Sequence, residues 1–398
     1  MGDNSVTLRQ WLPLLGLTCA AFVFNTSEFM PIGLLTDIAG SFAISESTAG
    51  VMISVYAWGV MLLSLPLMVA ASRIEFKRLL LCVVAVFAAG QFLSAVAPTY
   101  PILVIARLVV AAAHAVFWSI AAVMAARLVD ARHSSLALSM VATGSSIAQI
   151  FGLPLGRAIG LAVGWRMTFC VVGAVAVAVL IYQAVVLPPM SAGEPFSLRE
   201  LPALMRNRPL VSLYAVTIFM ATGYYVGYSY IEPYLQQVAG MDAGLITMAL
   251  TCFGCAGLLG SASFTRFYDG HRRGFLAVML AGVAVSLALM RVSAAAPALV
   301  FAVCVLWGLC ATAFNVAFQS QIIDFTSADA SAVAMSIFSG LFNLGIGCGT
   351  AIGGAVVARG AIGGIGYVGA GVAAVGVALA ATTLFPAMRR PSAGGAAE

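Results

Sequence analysis

An all-α membrane protein of twelve transmembrane helices, arranged as two pseudo-symmetric six-helix bundles, is the fold that this sequence predicts. Three observations predict it. The 398 residues are 62% hydrophobic and 8% charged, with a mean hydropathy of +1.05, whereas a soluble domain carries about 25% charged residues. Twelve apolar runs each approach the ~20 residues that a helix needs to cross the hydrocarbon. One long polar stretch, "PPMSAGEPFSLRELPALMRNR" at 188–208, leaves six runs on either side. The runs are continuous and lack the period-two alternation of barrel strands, so helices are what satisfies the backbone in lipid.

The first six spans fall near 11–38, 47–70, 77–96, 100–126, 134–157 and 165–187. The second six fall near 209–236, 243–266, 274–292, 296–322, 331–357 and 363–386. The expected organisation is an N-terminal bundle over 1–187, a cytoplasmic linker over 188–208 and a C-terminal bundle over 209–398. Basic residues set the orientation, because short cytoplasmic loops are enriched in Lys and Arg. With the N-terminus inside, the cytoplasmic segments hold Arg9, the trio Arg73, Lys77 and Arg78, and the pair Arg127 and Arg132. The linker holds Arg199, Arg206 and Arg208, and the second half holds Arg266, Arg272, Arg273, Arg389 and Arg390. The outer segments keep Arg157, Arg166, Arg291 and Arg359, and both termini are expected in the cytoplasm.

The net charge of +5 follows from this bias and carries no nucleic-acid signal. The first apolar run is too long for a cleavable signal, and Arg9 is the only basic side chain ahead of it. All eight cysteines fall within spans. Cys252 and Cys255 form a CxxC in an apolar helix without further ligands nearby, which reads as packing. No disulfide, metal or cofactor is expected.

The halves echo each other. "SRIEFKR" joins spans two and three, and "RFYDGHRRG" joins spans eight and nine. Span five carries Gly152, Gly156 and Gly160; span eleven carries Gly345, Gly349 and Gly353. Glycines four apart lay a flat stripe along one helix face for close packing. The same device in the same helix of each half predicts an internal repeat, with a site between the halves near the midplane.

These stretches also carry a resemblance. "FNTSEFMPIGLLTDIA", "VYAWGVMLLSLP", "AHAVFWSIAA", "ATGSSIAQIFGLPLGRAIG", "GWRMTF", "YSYIEPYLQ" and "FSGLFNLGIGCG" together resemble the major facilitator superfamily. Within its drug:proton antiporter branch the chain looks most like the bacterial sugar efflux transporters of SotB type. The likeness spans nearly the whole chain. It departs at Ser72 and Glu75, which stand where the loop between spans two and three usually carries an aspartate and a glycine. The charge-relay role of that loop is therefore in question. Leu153 also splits the usual Gly-Pro pair between Gly152 and Pro154, a variant the sugar efflux group shares. The resemblance implies the major facilitator fold and spans one, four, seven and ten around a central cavity.

Charge in hydrocarbon costs at least ~2.5–3.5 kcal/mol, so the polar residues within spans face the interior or a cavity. In "AFVFNTSEFMPIGLL" of span one, Glu28 lies past the middle, and Asn25 shares its face three residues earlier. An acid there can be charged when open to one side and neutral when crossing, as proton coupling requires; the plainer alternative is a protonated packing residue. In span four His114, with Phe117 and Trp118 on the following turn, is a substrate or proton candidate, or else a neutral core histidine. Arg107 lies seven residues earlier, where the family's fourth span carries an arginine thought to influence the proton site. Its alternative role is structural.

In span seven Tyr225, Tyr228 and Glu232 fall on one face at i, i+3 and i+7. Tyrosine rings suit the apolar face of a sugar and its hydroxyls. Tyr230 and Tyr234 are expected in the aromatic belt of the membrane interface. Asn315 and Gln319 of span ten, Asn343 of span eleven, Gln149 of span five and Tyr56 of span two complete the candidate cargo site. Uncharged amides offer a polyol paired donors and acceptors; otherwise they serve as interhelical glue.

The expected function is proton-coupled export of a small neutral sugar or glycoside, arabinose-like or thiogalactoside-like, by alternating access. Glu28, His114 and Arg107 would serve coupling. The alternatives are export of drugs or nucleosides on the same fold, or an uncoupled sugar uniporter. The chain shows no nucleophile–base spacing, acidic ring or phosphate-binding loop, so an enzyme, a channel and an ATP-driven pump are disfavoured. The expected partners are the sugar, protons and the lipid bilayer of a bacterial inner membrane, with no nucleic acid and a monomeric state.

Overall fold

The computed structural model of this chain describes residues 8–71, 73–130, 133–192, 201–326 and 328–388. Among them, 12 helices are long and apolar enough to cross a membrane. Contacts divide the chain into two compact units at residues 196 and 197.

In the first unit, α1 (Leu8–Phe29) continues through a 3-10 turn (Met30–Leu34) into α2 (Leu35–Ser41). There follow α3 (Glu46–Ala71), α4 (Phe76–Val96), α5 (Tyr100–Arg127), α6 (Ser134–Val163) and α7 (Trp165–Val186). The short α8 (Leu201–Arg206) lies within the stretch expected as linker. The second unit continues with α9 (Arg208–Tyr228), α10 (Ile231–Gln237), α11 (Ala243–Phe267), α12 (Arg272–Ser293), α13 (Pro297–Phe325) and α14 (Ala328–Ala358). Its last span is α15 (Ile365–Leu379), a π turn (Ala380–Leu384) and the short α16 (Phe385–Ala387).

The packing inside the two units repeats. In the first, α1 packs on α6, α3 on α5, and α4 on both α5 and α7; in the second, α9 packs on α14, α11 on α13, and α12 on both α13 and α15. The glycine stripes set the closest of these contacts. Gly152, Gly156 and Gly160 of α6 meet Thr26, Met30 and Leu34 in turn. Gly345, Gly349 and Gly353 of α14 meet Thr222, Val226 and Tyr230. A methyl at Gly353 would lie 2.6 Å from the Val226 carbonyl oxygen, so the backbones approach where only glycine fits. The contacts put the halves in register: Thr26, Met30 and Leu34 correspond to Thr222, Val226 and Tyr230.

Four expectations need correction. Spans one and seven are not single helices. Pro31 has no N–H for the Ser27 carbonyl and Pro233 none for Ser229, and the α-ladder fails near each. Tyr225, Tyr228 and Glu232 therefore do not share one continuous face, since α9 ends at Tyr228 and Glu232 stands on α10. Arg157 is not in an outer loop. Helix α6 runs on to Val163, and Arg157 is buried within it, donating to the Gly33 carbonyl at 2.8 Å. Tyr230 and Tyr234 are buried rather than interfacial, and the Tyr234 hydroxyl donates to the Met290 carbonyl at 2.6 Å.

The two basic loops do matching work. Lys77 Nζ donates to the Leu187 carbonyl at 2.5 Å, just past the end of α7. Arg273 donates to the Met388 carbonyl at 2.8 Å, just past α16. Each cation caps carbonyls that a helix C-terminus leaves without partners. Ser72 lies outside the described residues. Glu75 accepts from the Met190 N–H at 2.8 Å while the Phe76 N–H donates to the Met190 carbonyl at 3.0 Å. The departure from the family's loop pattern thus ties the loop to the chain leaving α7.

Candidate functional site

The first unit gathers its ionisable residues at the end of α1. The missing N–H of Pro31 leaves the Ser27 carbonyl free in the last turn. Arg107 of α5 takes it. One guanidinium nitrogen donates to the Ser27 carbonyl at 2.9 Å and another to the Ser27 hydroxyl at 3.0 Å. Gln91 of α4 also donates to that hydroxyl, at 2.5 Å. The guanidinium is buried and lies 4.5 Å from the ring centre of Tyr56 on α3 and 5.6 Å from that of Phe169 on α7. A buried cation is tolerated when donors and ring faces replace its water.

From Tyr56 the network turns to the acid. The Tyr56 hydroxyl lies 2.9 Å from His114 Nδ1. His114 Nε2 lies 3.7 Å from Glu28 Oε2, with the histidine side chain 3% and the glutamate 11% exposed. Glu28, His114, Tyr56, Arg107 and Ser27 thus close a ring from α1 through α5 and α3 and back to α1. One member is a carboxyl, one an imidazole, and the acid is the member nearest solvent. Such a ring can take up and release a proton without leaving a bare charge in hydrocarbon.

Two further candidates meet beside it. Asn25 donates to the Ser145 hydroxyl, and Gln149 reaches the same hydroxyl at 3.5 Å. Gln149 itself is exposed. Trp118 lies 6.2 Å from the His114 ring and is half-buried. Phe117 is wholly buried, stacked on Phe24 at 4.3 Å, and Phe24 stacks on Phe87 at 4.0 Å. That places Phe117 in the packing core beneath the ring rather than on its surface.

The second unit fills the corresponding place with aromatic rings. Tyr224 stacks on Tyr228 at 4.9 Å and meets Tyr225 edge-on at 4.7 Å. Tyr228 faces Phe253 of α11 at 5.1 Å, and Trp307 of α13 sets its edge against Tyr224, Tyr228 and Phe253. All five rings are buried, and the Trp307 indole N–H finds no acceptor among the described residues. Gln319 donates to Asn315 at 2.6 Å, so those amides bond one another. Asn343 donates to the Ser339 carbonyl at 3.0 Å, while its own side-chain oxygen has no donor among the described residues. Glu232 is buried at the start of α10. Among the described residues no three His, Cys, Asp or Glu side chains gather as metal ligands would.

Sequence reasoning missed Ser27, Ser145, Gln91, Tyr224, Phe253 and Trp307. Gln91 carried a visible signal, an amide inside an apolar run. Ser27 and Ser145 carried none, because a serine within a span normally bonds its own helix.

The sequence profile of the Major Facilitator Superfamily matches the chain over residues 17–271 and again over 213–398. Among solved structures the chain is similar to a bacterial homologue of the human lysosomal transporter Spinster. The inward-facing, occupied form matches with a TM-score of 0.73 and 15% identity, covering 97% of this chain and 98% of that one. The inward-facing, unoccupied form matches with a TM-score of 0.69 and 16% identity, covering 96% of each. At such identity these likenesses bear on the fold alone. The profile matches nearly the whole chain, and the chain therefore belongs to the Major Facilitator Superfamily: it is a multi-pass membrane carrier of small molecules, a secondary transporter and not an enzyme.

Proposed function

We propose that this carrier exports a small neutral sugar or glycoside in exchange for an inward proton. The observation that supports this most is the ring of Glu28, His114, Tyr56 and Arg107, which holds a carboxyl and an imidazole 3.7 Å apart inside a membrane-spanning unit. An acid so placed can be charged while open to water and neutral while the carrier reorients, which couples the proton to the cycle. Each unit also carries hydroxyl-matching groups of the kind a polyol contacts: Asn25 and Gln149 in the first, and Asn315, Gln319 and Asn343 with the tyrosines 225 and 228 in the second. Glu232 is a further candidate contact. In this reading residues 188–208 form a cytoplasmic linker between bundles 1–187 and 209–398. Both termini lie in the cytoplasm of a bacterial cell, and the monomer works in the inner membrane.

A second reading has one observation in its favour. The five-ring cluster of the second unit suits a flat, lipophilic cargo such as a drug or nucleoside base. Both readings are tested in proteoliposomes with an imposed proton gradient. Labelled arabinose, a thiogalactoside, a nucleoside and a lipophilic cation are compared in wild type and Glu28→Gln. Gradient-driven sugar movement that falls at least tenfold in the variant, with sugar binding retained, is the expected result. Movement of the nucleoside or cation alone removes the sugar reading. Concentrative transport that survives Glu28→Gln removes the proton role of Glu28.

A further inference from the structure

We propose that Tyr56 is a positioning residue of the proton site, setting which nitrogen of His114 presents a proton to Glu28. The proposal rests on the reading of Glu28 as the proton carrier. The geometry joins Tyr56 to both sides of the ring: its hydroxyl lies 2.9 Å from His114 Nδ1, and the Arg107 guanidinium lies 4.5 Å from its ring centre. A cation over the ring draws electron density from the phenol and makes its O–H a stronger donor. The phenol then donates to Nδ1, and a neutral imidazole must carry its proton on Nε2. That proton faces Glu28 Oε2 across 3.7 Å, a good arrangement when the carboxylate is charged.

Protonation of Glu28 reverses the demand. A carboxylic acid donates, and it needs an unprotonated Nε2 as acceptor. Histidine then carries its proton on Nδ1 and donates to the Tyr56 oxygen. The change balances: Nε2 gives its proton to the carboxylate, Nδ1 takes the Tyr56 proton, hydronium restores the phenol, and the site as a whole takes up one proton. The two tautomers of His114 thus correspond to the two charge states of Glu28, and Tyr56 biases the pair toward the charged one. The charged or titratable groups facing the ring are Glu28 from α1, Tyr56 from α3 and Arg107 from α5 itself. Helices α4, α6 and α7 present Gln91, Ser145 and Phe169, none of which titrates.

The test uses full-length protein in lipid. The infrared carbonyl band of protonated Glu28, identified by its loss in Glu28→Gln, is followed against pH in wild type and Tyr56→Phe. The variant keeps the ring under Arg107 and removes only the hydroxyl. The expected result is a midpoint moved toward alkaline pH by about one unit, since the phenol under Arg107 donates better than it accepts and the bond lost from the charged-acid state is the stronger of the two. The cargo KM is measured alongside. An unmoved midpoint overturns the proposal; if KM also rises tenfold, Tyr56 is a cargo contact instead. A wild-type protein in which Glu28 shows no titration and transport no pH dependence removes the underlying reading and the proposal with it. Should Tyr56→Phe fail to fold, nitrogen NMR of labelled histidine in the wild type decides. The His114 signal, identified by His114→Gln, should pass from the Nε2–H to the Nδ1–H form as Glu28 protonates, and a constant tautomer overturns the proposal.

Discussion

The two six-helix units share a packing plan and differ in what fills it. In the register set by the glycine stripes, Glu28 of the first unit corresponds to Tyr224 of the second, and Ser27 to Gly223. Counting from the starts of α3 and α11, Tyr56 corresponds to Phe253. Counting from α5 and α13, Arg107 corresponds to Cys304 and His114 to Ala311. One unit therefore holds a polar ring of an acid, a histidine and an arginine where the other holds stacked aromatic side chains. The break in each first span is even stitched at matching positions, by Arg157 to the Gly33 carbonyl and by Thr350 to the Ser229 hydroxyl at 2.6 Å. Helix packing through small residues depends on backbone approach, so it constrains these interior side chains very little. The repeat can keep its architecture while one copy becomes ionic and the other apolar.

This contrast can be broken at its most charged point. Arg107→Ala leaves the Ser27 carbonyl without its buried donor and the Ser27 hydroxyl with Gln91 alone, at a cost of roughly 2–4 kcal/mol. Its counterpart Cys304→Ala removes a small buried side chain, at a cost of about 1 kcal/mol. Thermal unfolding in detergent should rank them in that order, and equal losses would show that the two sites are equivalent packing. The shared plan is sharpened by a pair within α14. Gly349→Ala drives a methyl into the Thr222 carbonyl oxygen and should cost about 1–3 kcal/mol. Gly340→Ala meets nothing within 4 Å and should be neutral or stabilising by about 0.5 kcal/mol. A Gly349→Ala protein as stable as its Gly340→Ala control would remove the stripe as the cause of the close packing. The smallest effect belongs to the loop cations. Lys77→Ala and Arg273→Ala should each lower stability by about 0.5 kcal/mol, alike in the two units, because each removes one cap from a helix C-terminus. A large difference between them would mean that the loops have diverged as far as the sites have.

Much of the fold was legible because length and composition carry it. Apolar runs long enough to span, one polar break and two glycine stripes need no tertiary information. The candidate site was legible in part: Glu28, His114 and Arg107 stand out as ionisable groups inside apolar runs, and Tyr56 joins them in the structure. Faces were harder to read. Phe117 entered the core, Gln149 stayed exposed, and Tyr230 and Tyr234 left the expected interface for the interior. In a membrane the lipid is as apolar as the protein, so the hydrophobic stripe that marks the inner face of a soluble helix is missing. Arg157 was misplaced for a related reason, since a charge near the end of an apolar run looks like the start of a loop.

The sequence by itself determined the number of spans, the division into halves, the repeated glycine stripes and the residue types on which the proposed proton and cargo sites draw. All of these are set by residue type and spacing along one chain. Only the tertiary structure decided which groups meet. Pro31 frees the carbonyl of Ser27, a local event that the sequence displays, but the donor that claims it is Arg107, 80 residues away. The histidine beside Glu28 and the tyrosine 2.9 Å from its Nδ1 come from α5 and α3 for the same reason. An unmet carbonyl and a buried charge carry no signal of which partner will satisfy them, and the choice is made when the helices pack.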